Sequence, residues 1–114
     1  MIISFATPKH EKLASNHLAL EKYVAKQKAH CTADQVIATL DALAAAESSF
    51  DLPHFLHPHP LSGSCKGHFA VWISKQDRII FRPDHEGDPE FRIDNHKTIK
   101  RIIIVEICKD YHKR

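Results

Sequence analysis

The stretch FAVWISKQDRIIFRP, residues 69–83, decides the fold. Phe69, Val71 and Ile73 alternate with Ala70 and Trp72, the period-two signature of a strand. Ser74-Lys75-Gln76-Asp77 supplies a turn, and Arg78-Ile79-Ile80-Phe81-Arg82 forms the returning strand, so a meander hairpin is predicted. Pro83 stops it, and residues 83–98, polar with Gly87 and Pro89, read as an excursion or long loop. Beyond them Arg101-Ile102-Ile103-Ile104-Val105-Glu106-Ile107 is a β-branched run that suits a central strand buried on both faces. Residues 109–114 make a polar tail.

Upstream the period changes. Thr32-Ala33-Asp34-Gln35 reads as a capping box, with Thr32 accepting from the Gln35 N–H while the Gln35 side chain reaches back. Val36, Ile37, Leu40, Leu43 and Ala44 recur at helical spacing, which predicts an amphipathic helix through about Ala46. Before it, Thr7-Pro8 is a helix start, a hydroxyl cap followed by a proline whose missing N–H is not needed there. Leu13, Leu20, Tyr23, Val24 and Gln27 fall on one side of the helix that follows. The two helices, joined near residues 29–31, form an αα-hairpin. Ile2, Ile3 and Phe5 suggest a short first strand. A strand, two helices and at least three strands make an α+β plan in a single domain, residues 1–114.

A chain of 114 residues buries roughly two-thirds of its unfolded surface and stands without disulfides. No run approaches the roughly 18 apolar residues of a membrane span. Residues 1–6 lack the basic region and cleavage site of a signal peptide. Cys31, Cys65 and Cys108 are odd in number and scattered, which argues against a disulfide framework and for a reducing cytoplasm. The net charge of +2 does not assign a nucleic-acid partner, but its distribution is uneven. Asp84, Glu86, Asp88, Glu90 and Asp94 are followed by Lys97, Lys100, Arg101, Lys109, Lys113 and Arg114. These segments are either two solvated surfaces or an acidic flank beside a basic site.

Three groups of residues carry chemistry. His54, His57, His59, Cys65 and His68 cluster in sequence, yet Pro58 and Pro60 force extended backbone that throws neighbouring side chains apart. A second ligand pair at zinc spacing is missing downstream, so no metal is assigned and a polar rim is favoured. On the returning strand Arg78, Ile80 and Arg82 share one face, with Ile79 and Phe81 on the other. Guanidiniums there either meet an anion such as a phosphodiester or pair with Asp77, Asp84 or Glu106. Tyr111 and His112 bring a hydrogen-bond donor and a proton shuttle among Lys109, Lys113 and Arg114.

In order and spacing, these motifs resemble the RelE/ParE toxin superfamily. They run from Asp51-Leu52-Pro53 through His59-Pro60-Leu61-Ser62-Gly63, Lys66-Gly67-His68-Phe69 and Arg78-Ile79-Ile80-Phe81 to Asp110-Tyr111-His112. They are most similar to the HigB-type plasmid maintenance killer branch and cover about half the chain. The resemblance implies a RelE-like fold, an N-terminal strand and αα-hairpin on a small, mainly antiparallel sheet. It implies a cytoplasmic, metal-independent endoribonuclease without cofactor, an mRNA interferase acting on mRNA at the ribosome. Its partner would be a small antitoxin, a helix-turn-helix protein encoded nearby. Catalysis by 2′-OH attack would fall to His59, Arg78, Tyr111 and His112, with Lys66, Arg82, Lys109 and Lys113 binding RNA phosphates.

Two departures mark this chain. The family commonly has lysine before the glycine of His-Pro-Leu-x-Gly, and here Ser62 stands there, with Lys66 four residues on as the candidate substitute. The family often has an aromatic residue before the arginine, and here Asp77 is expected to pair with Arg78 and dampen its pull on phosphate. Two other functions compete: a non-catalytic toxin-fold protein, either a ParE-like gyrase inhibitor or a decayed toxin, and a metal module on residues 54–68.

Overall fold

The computed structural model describes residues 1–63 and 66–110, the side chain of Asp110 excepted. In chain order, β1 (Ile2–Phe5) is followed by α1 (Pro8–Ser15), α2 (His17–Lys26) and α3 (Ala33–Ala45). Then come β2 (His59–Pro60), β3 (Phe69–Trp72), β4 (Asp77–Pro83) and β5 (Arg101–Asp110). The strands form one sheet of order β1-β5-β4-β3-β2. The pairing of β1 with β5 is parallel and the others are antiparallel. The α+β plan and the 69–83 hairpin are therefore as predicted.

Helices cover one face of this sheet. Leu13, Leu20, Val24, Val36, Leu40 and Leu43 pack in one core with Phe69, Val71, Ile79, Phe81, Ile102 and Ile104. These are the alternate residues of each strand, so Trp72, Arg78 and Ile80 fall on the opposite face.

Two expectations are corrected here. The first helix is two, because Asn16 is extended (φ −134°, ψ 100°) between α1 and α2. Its side chain accepts from the Ala19 N–H and so starts a new helix, the competition with helical backbone that short polar side chains offer. The β5 strand is central, yet only one of its faces is fully buried. Ile102 and Ile104 are closed off, Ile103 and Val105 are half-buried and Glu106 is exposed. The 83–98 segment is the long loop that the sequence suggests, held together by its own contacts. The Thr98 hydroxyl donates toward Arg92 O and Asn95 O at 2.9 and 2.7 Å, and His85 stacks on Phe91. The capping box at Thr32 and Gln35 forms as the sequence predicts.

One corner ties the helices to the far ends of β4 and β5. There the Asp77 carboxylate, 1% exposed, accepts from the His30 N–H at 2.9 Å and the Ser74 hydroxyl at 2.8 Å. The Tyr23 hydroxyl donates to Ile107 O at 3.1 Å. Cys31 and Cys108, scattered in sequence, meet here as thiols with their sulfurs 3.8 Å apart. Hydrogen bonding with Cys31, and then burial, hold the Cys108 thiol far above its ordinary range, so it is a poor nucleophile. Cys108 also has φ +62° and is the extra residue of a bulge, since Arg78 pairs with Lys109 while Ile79 pairs with Ile107.

Two histidines set opposing pH dependences. Burial holds the imidazole of His10 below its usual pKa, so its contribution to stability is full above about 6.5 and is lost as pH falls through the lowered value. His17, between Glu21 and Asp34, is raised, chiefly by the bond to Asp34. Its contribution is full below about 6.5 and fades as pH rises through the raised value. Replacing His10 with Leu is predicted to flatten the fall in melting temperature between pH 7 and 5, read by thermal unfolding at each pH (about two units spanning the ordinary histidine value). An unchanged fall would remove His10 as its source.

Candidate active site

The open face of the sheet carries the site. A row of cross-strand partners, Trp72, Arg78 and Lys109, crosses β3, β4 and β5. The adjacent row runs from His59 through Ala70 and Ile80 to Glu106. Directly paired residues present their side chains on the same face, so the two rows together form one floor.

His57 hangs over the edge of this floor. Its ring stacks on Trp72 with centroids 3.7 Å apart and planes 20° from parallel. The Arg78 guanidinium carbon lies 4.7 Å from the Trp72 ring centre, a cation–π contact. His57, Pro58, His59, Trp72 and Arg78 line an open cleft of about 440 Å³. A second cleft of about 400 Å³ shares His57, Pro58 and His59 with the first and is lined further by Phe50, His54, Phe69 and His96 among others.

Backbone geometry explains how His57 gets there. The residue before a proline is ordinarily extended, and extended backbone was the expectation. His57 instead has φ 48° and ψ 51°, in the left-handed region. It ends a one-turn 3-10 helix (His54–Leu56), and its N–H donates to His54 O at 2.9 Å. A non-glycine residue held in this sparsely populated region stores strain that its surroundings must hold. The Trp72 stack and the bond from His59 to its carbonyl supply that hold.

His59 is held in one tautomer. Its Nδ1 lies 2.8 Å from His57 O. A carbonyl only accepts, so Nδ1 carries the proton and the neutral ring keeps its lone pair on Nε2.

Arg78 is 4% exposed, and its Nη1 donates to Ser74 O at 2.9 Å, Lys75 O at 2.9 Å and Asp77 O at 3.3 Å. It binds the carbonyls of the β3–β4 turn while its guanidinium lies against Trp72. The expected pairing with Asp77 does not form. Neighbours on a strand point to opposite faces, and the Asp77 carboxylate is turned inward to His30 and Ser74.

The structure thus brings His59 and Arg78 to one cleft, with Lys109 next to Arg78 in the row. Arg82 is exposed on the same face but roughly 13 Å further along β4, at about 3.3 Å per residue. Lys66 and Ser62 are exposed on the β2–β3 connection and line neither cleft. Lys66 sits in the turn closed by its N–H to Gly63 O at 3.1 Å, where Gly63 (φ +67°) and Gly67 (φ +90°) take left-handed backbone. Tyr111, His112, Lys113 and Arg114, and Cys65 with them, lie outside the described residues. Among the described residues no three His, Cys, Asp or Glu side chains are grouped to hold a metal ion.

Sequence reading missed Trp72 and His57. The signal for Trp72 was present: it is the chain's one tryptophan, on the same strand face as Ala70. Nothing in the sequence marked the left-handed turn at His57.

A sheet of order β1-β5-β4-β3-β2, helices on one face and a cleft beside Arg78 on the other define a small α+β protein. The solved structure of a YoeB/ParE toxin from Agrobacterium tumefaciens superposes with a TM-score of 0.54, over 97% of this chain and 100% of that one. Sequence identity is 13%, so the likeness is one of fold. No protein-family model matches the chain, and no curated protein does. Among the described residues no helix is long and apolar enough to cross a membrane.

Proposed function

We propose that this chain is the toxin of a toxin–antitoxin pair, an endoribonuclease of HigB type that cuts mRNA in the cytoplasm, at the ribosome. The observation that carries this reading is the His59 ring, with Nε2 left as its basic nitrogen, beside a cleft floored by Trp72 and Arg78. In the proposed reaction His59 takes the ribose 2′-OH proton as the 2′ oxygen bonds to phosphorus. The P–O5′ bond breaks, and His112 protonates the departing oxygen. The products are a 2′,3′-cyclic phosphate and a 5′-hydroxyl, and no metal is required. Arg78, Lys109 and Tyr111 would stabilise the crowded phosphorane, and Lys66, Arg82 and Lys113 would hold flanking phosphates. The partner proposed is an antitoxin, a helix-turn-helix protein encoded beside this chain.

A second reading has its own support. Arg78 is already engaged by three carbonyls, and Ser62 cannot supply the positive charge of a lysine. These observations favour a toxin-fold protein that acts by binding, as a ParE-like gyrase inhibitor. Induced expression with and without the neighbouring reading frame separates the two. Growth arrest with new messenger 5′ ends, absent in His112→Ala, is the expected result for the nuclease. Arrest without new ends, surviving that substitution, would replace it with the binding reading.

A further inference from the structure

We propose that the His57–Trp72 pair is a stacking platform for one unpaired nucleobase, which sets the ribose of that nucleotide against His59. The inference rests on the ribonuclease reading and names the subsite that would hold its substrate.

Three observations carry it. Trp72 is half-buried and His57 exposed, so an aromatic pile stands at the mouth of a cleft rather than inside the core. Aromatic rings on an open sheet face are what single-stranded nucleic acid stacks on, because every base has a π-face. Among the described residues that line the cleft, His57, Pro58, His59, Trp72 and Arg78, none is a carboxylate. Lys109 continues the row beyond Arg78 while Glu106 ends the adjacent row, so the Trp72–Arg78–Lys109 row is where a phosphate is favoured. Finally, the carbonyl that fixes the His59 tautomer belongs to His57. The stacking ring and the base are therefore mechanically joined, and a nucleobase held by the first is registered against the second.

Duplex RNA is not the expected ligand, since its bases are unavailable for stacking. Purines should bind better than pyrimidines through their larger rings. The platform also gives the left-handed His57 a use, because an extended residue would turn the ring away from Trp72.

Trp72 is the only tryptophan, so its fluorescence reports this subsite alone. The full chain is titrated with a fluorescently labelled 2′-O-methyl oligoadenylate, which it cannot cut, while label anisotropy and Trp72 emission are followed together. An abasic ribose-phosphate chain of equal length is the second probe. The expected result is binding with a change in Trp72 emission for the oligoadenylate, and weaker, spectrally silent binding for the abasic chain. Trp72→Leu should weaken oligoadenylate binding about tenfold or more, with Trp72→Phe largely restoring it. Anisotropy showing binding while Trp72 stays silent, or equal effects of both probes, would overturn the platform and leave the nuclease reading standing. No binding of either probe would overturn both. If Trp72→Leu does not fold, the wild-type emission and the Phe variant still decide.

Discussion

On the proposed ribonuclease reading, His59→Ala is expected to lower the rate of RNA cleavage by about 10²- to 10⁴-fold, the range that one positioned general base supplies. His59 lies on the two-residue strand β2 at the sheet margin, outside the hydrophobic core, so melting temperature should barely move. The substitution removes the proposed proton acceptor and also the bond that holds His57 O. Free imidazole in the assay should restore part of the rate, because a small diffusible base can enter the space left behind. A purely structural role for His59 would give no such rescue. Wild-type cleavage by the alanine variant would end the assignment of His59 as the base.

Asp77→Ala should be the most damaging substitution outside the apolar core, costing about 3 kcal/mol of stability. The carboxylate is buried and receives both the His30 N–H and the Ser74 hydroxyl. Truncation leaves those donors without their acceptor, in the corner where the α2–α3 connection meets β4. For a chain of this length the melting temperature should fall by roughly 10 °C. Asp77→Asn keeps an acceptor oxygen and should lose about a third of that amount. A loss of less than about 1 kcal/mol for Asp77→Ala would mean that water replaces the carboxylate at little cost.

The contrast between the two neighbours Asp77 and Arg78 shows what the sequence carried and what it withheld. Alternation along residues 69–73 and 78–82 was legible because burial on one sheet face imposes period two on the residues themselves. The same alternation, carried one step further, would have parted Asp77 from Arg78. The helix break at Asn16 was written less plainly, since Leu13 and Leu20 keep helical spacing across it and only the capping preference of asparagine betrays it. The bulge at Cys108 depends on register with β4, a property of two strands that neither reveals alone. Of the site, His59 and Arg78 could be picked out by chemical type and motif spacing. The His57 ring over Trp72 could not, because it hangs on a left-handed residue before a proline, a conformation that local preference argues against. Arg78 was legible as a residue of the cleft. Its bonds to the carbonyls of its own turn were not, because they depend on how tightly that turn closes.

The parallel pairing of β1 with β5 has a consequence in time. Ile2 meets Arg101 and Phe5 meets Ile104, so the first strand of the sheet in chain order joins the last. Closing so long a loop carries an entropic cost that shorter contacts avoid, and topologies rich in such contacts fold slowly. The hairpin of β3 and β4 and the α2–α3 pair are local and can form while the chain is still emerging. Lys109 and the carbonyls of β5 that complete the floor are the last parts of the sheet to emerge. The cleft therefore cannot assemble until β5 has emerged, and the messenger being translated is the RNA nearest to the chain at that moment.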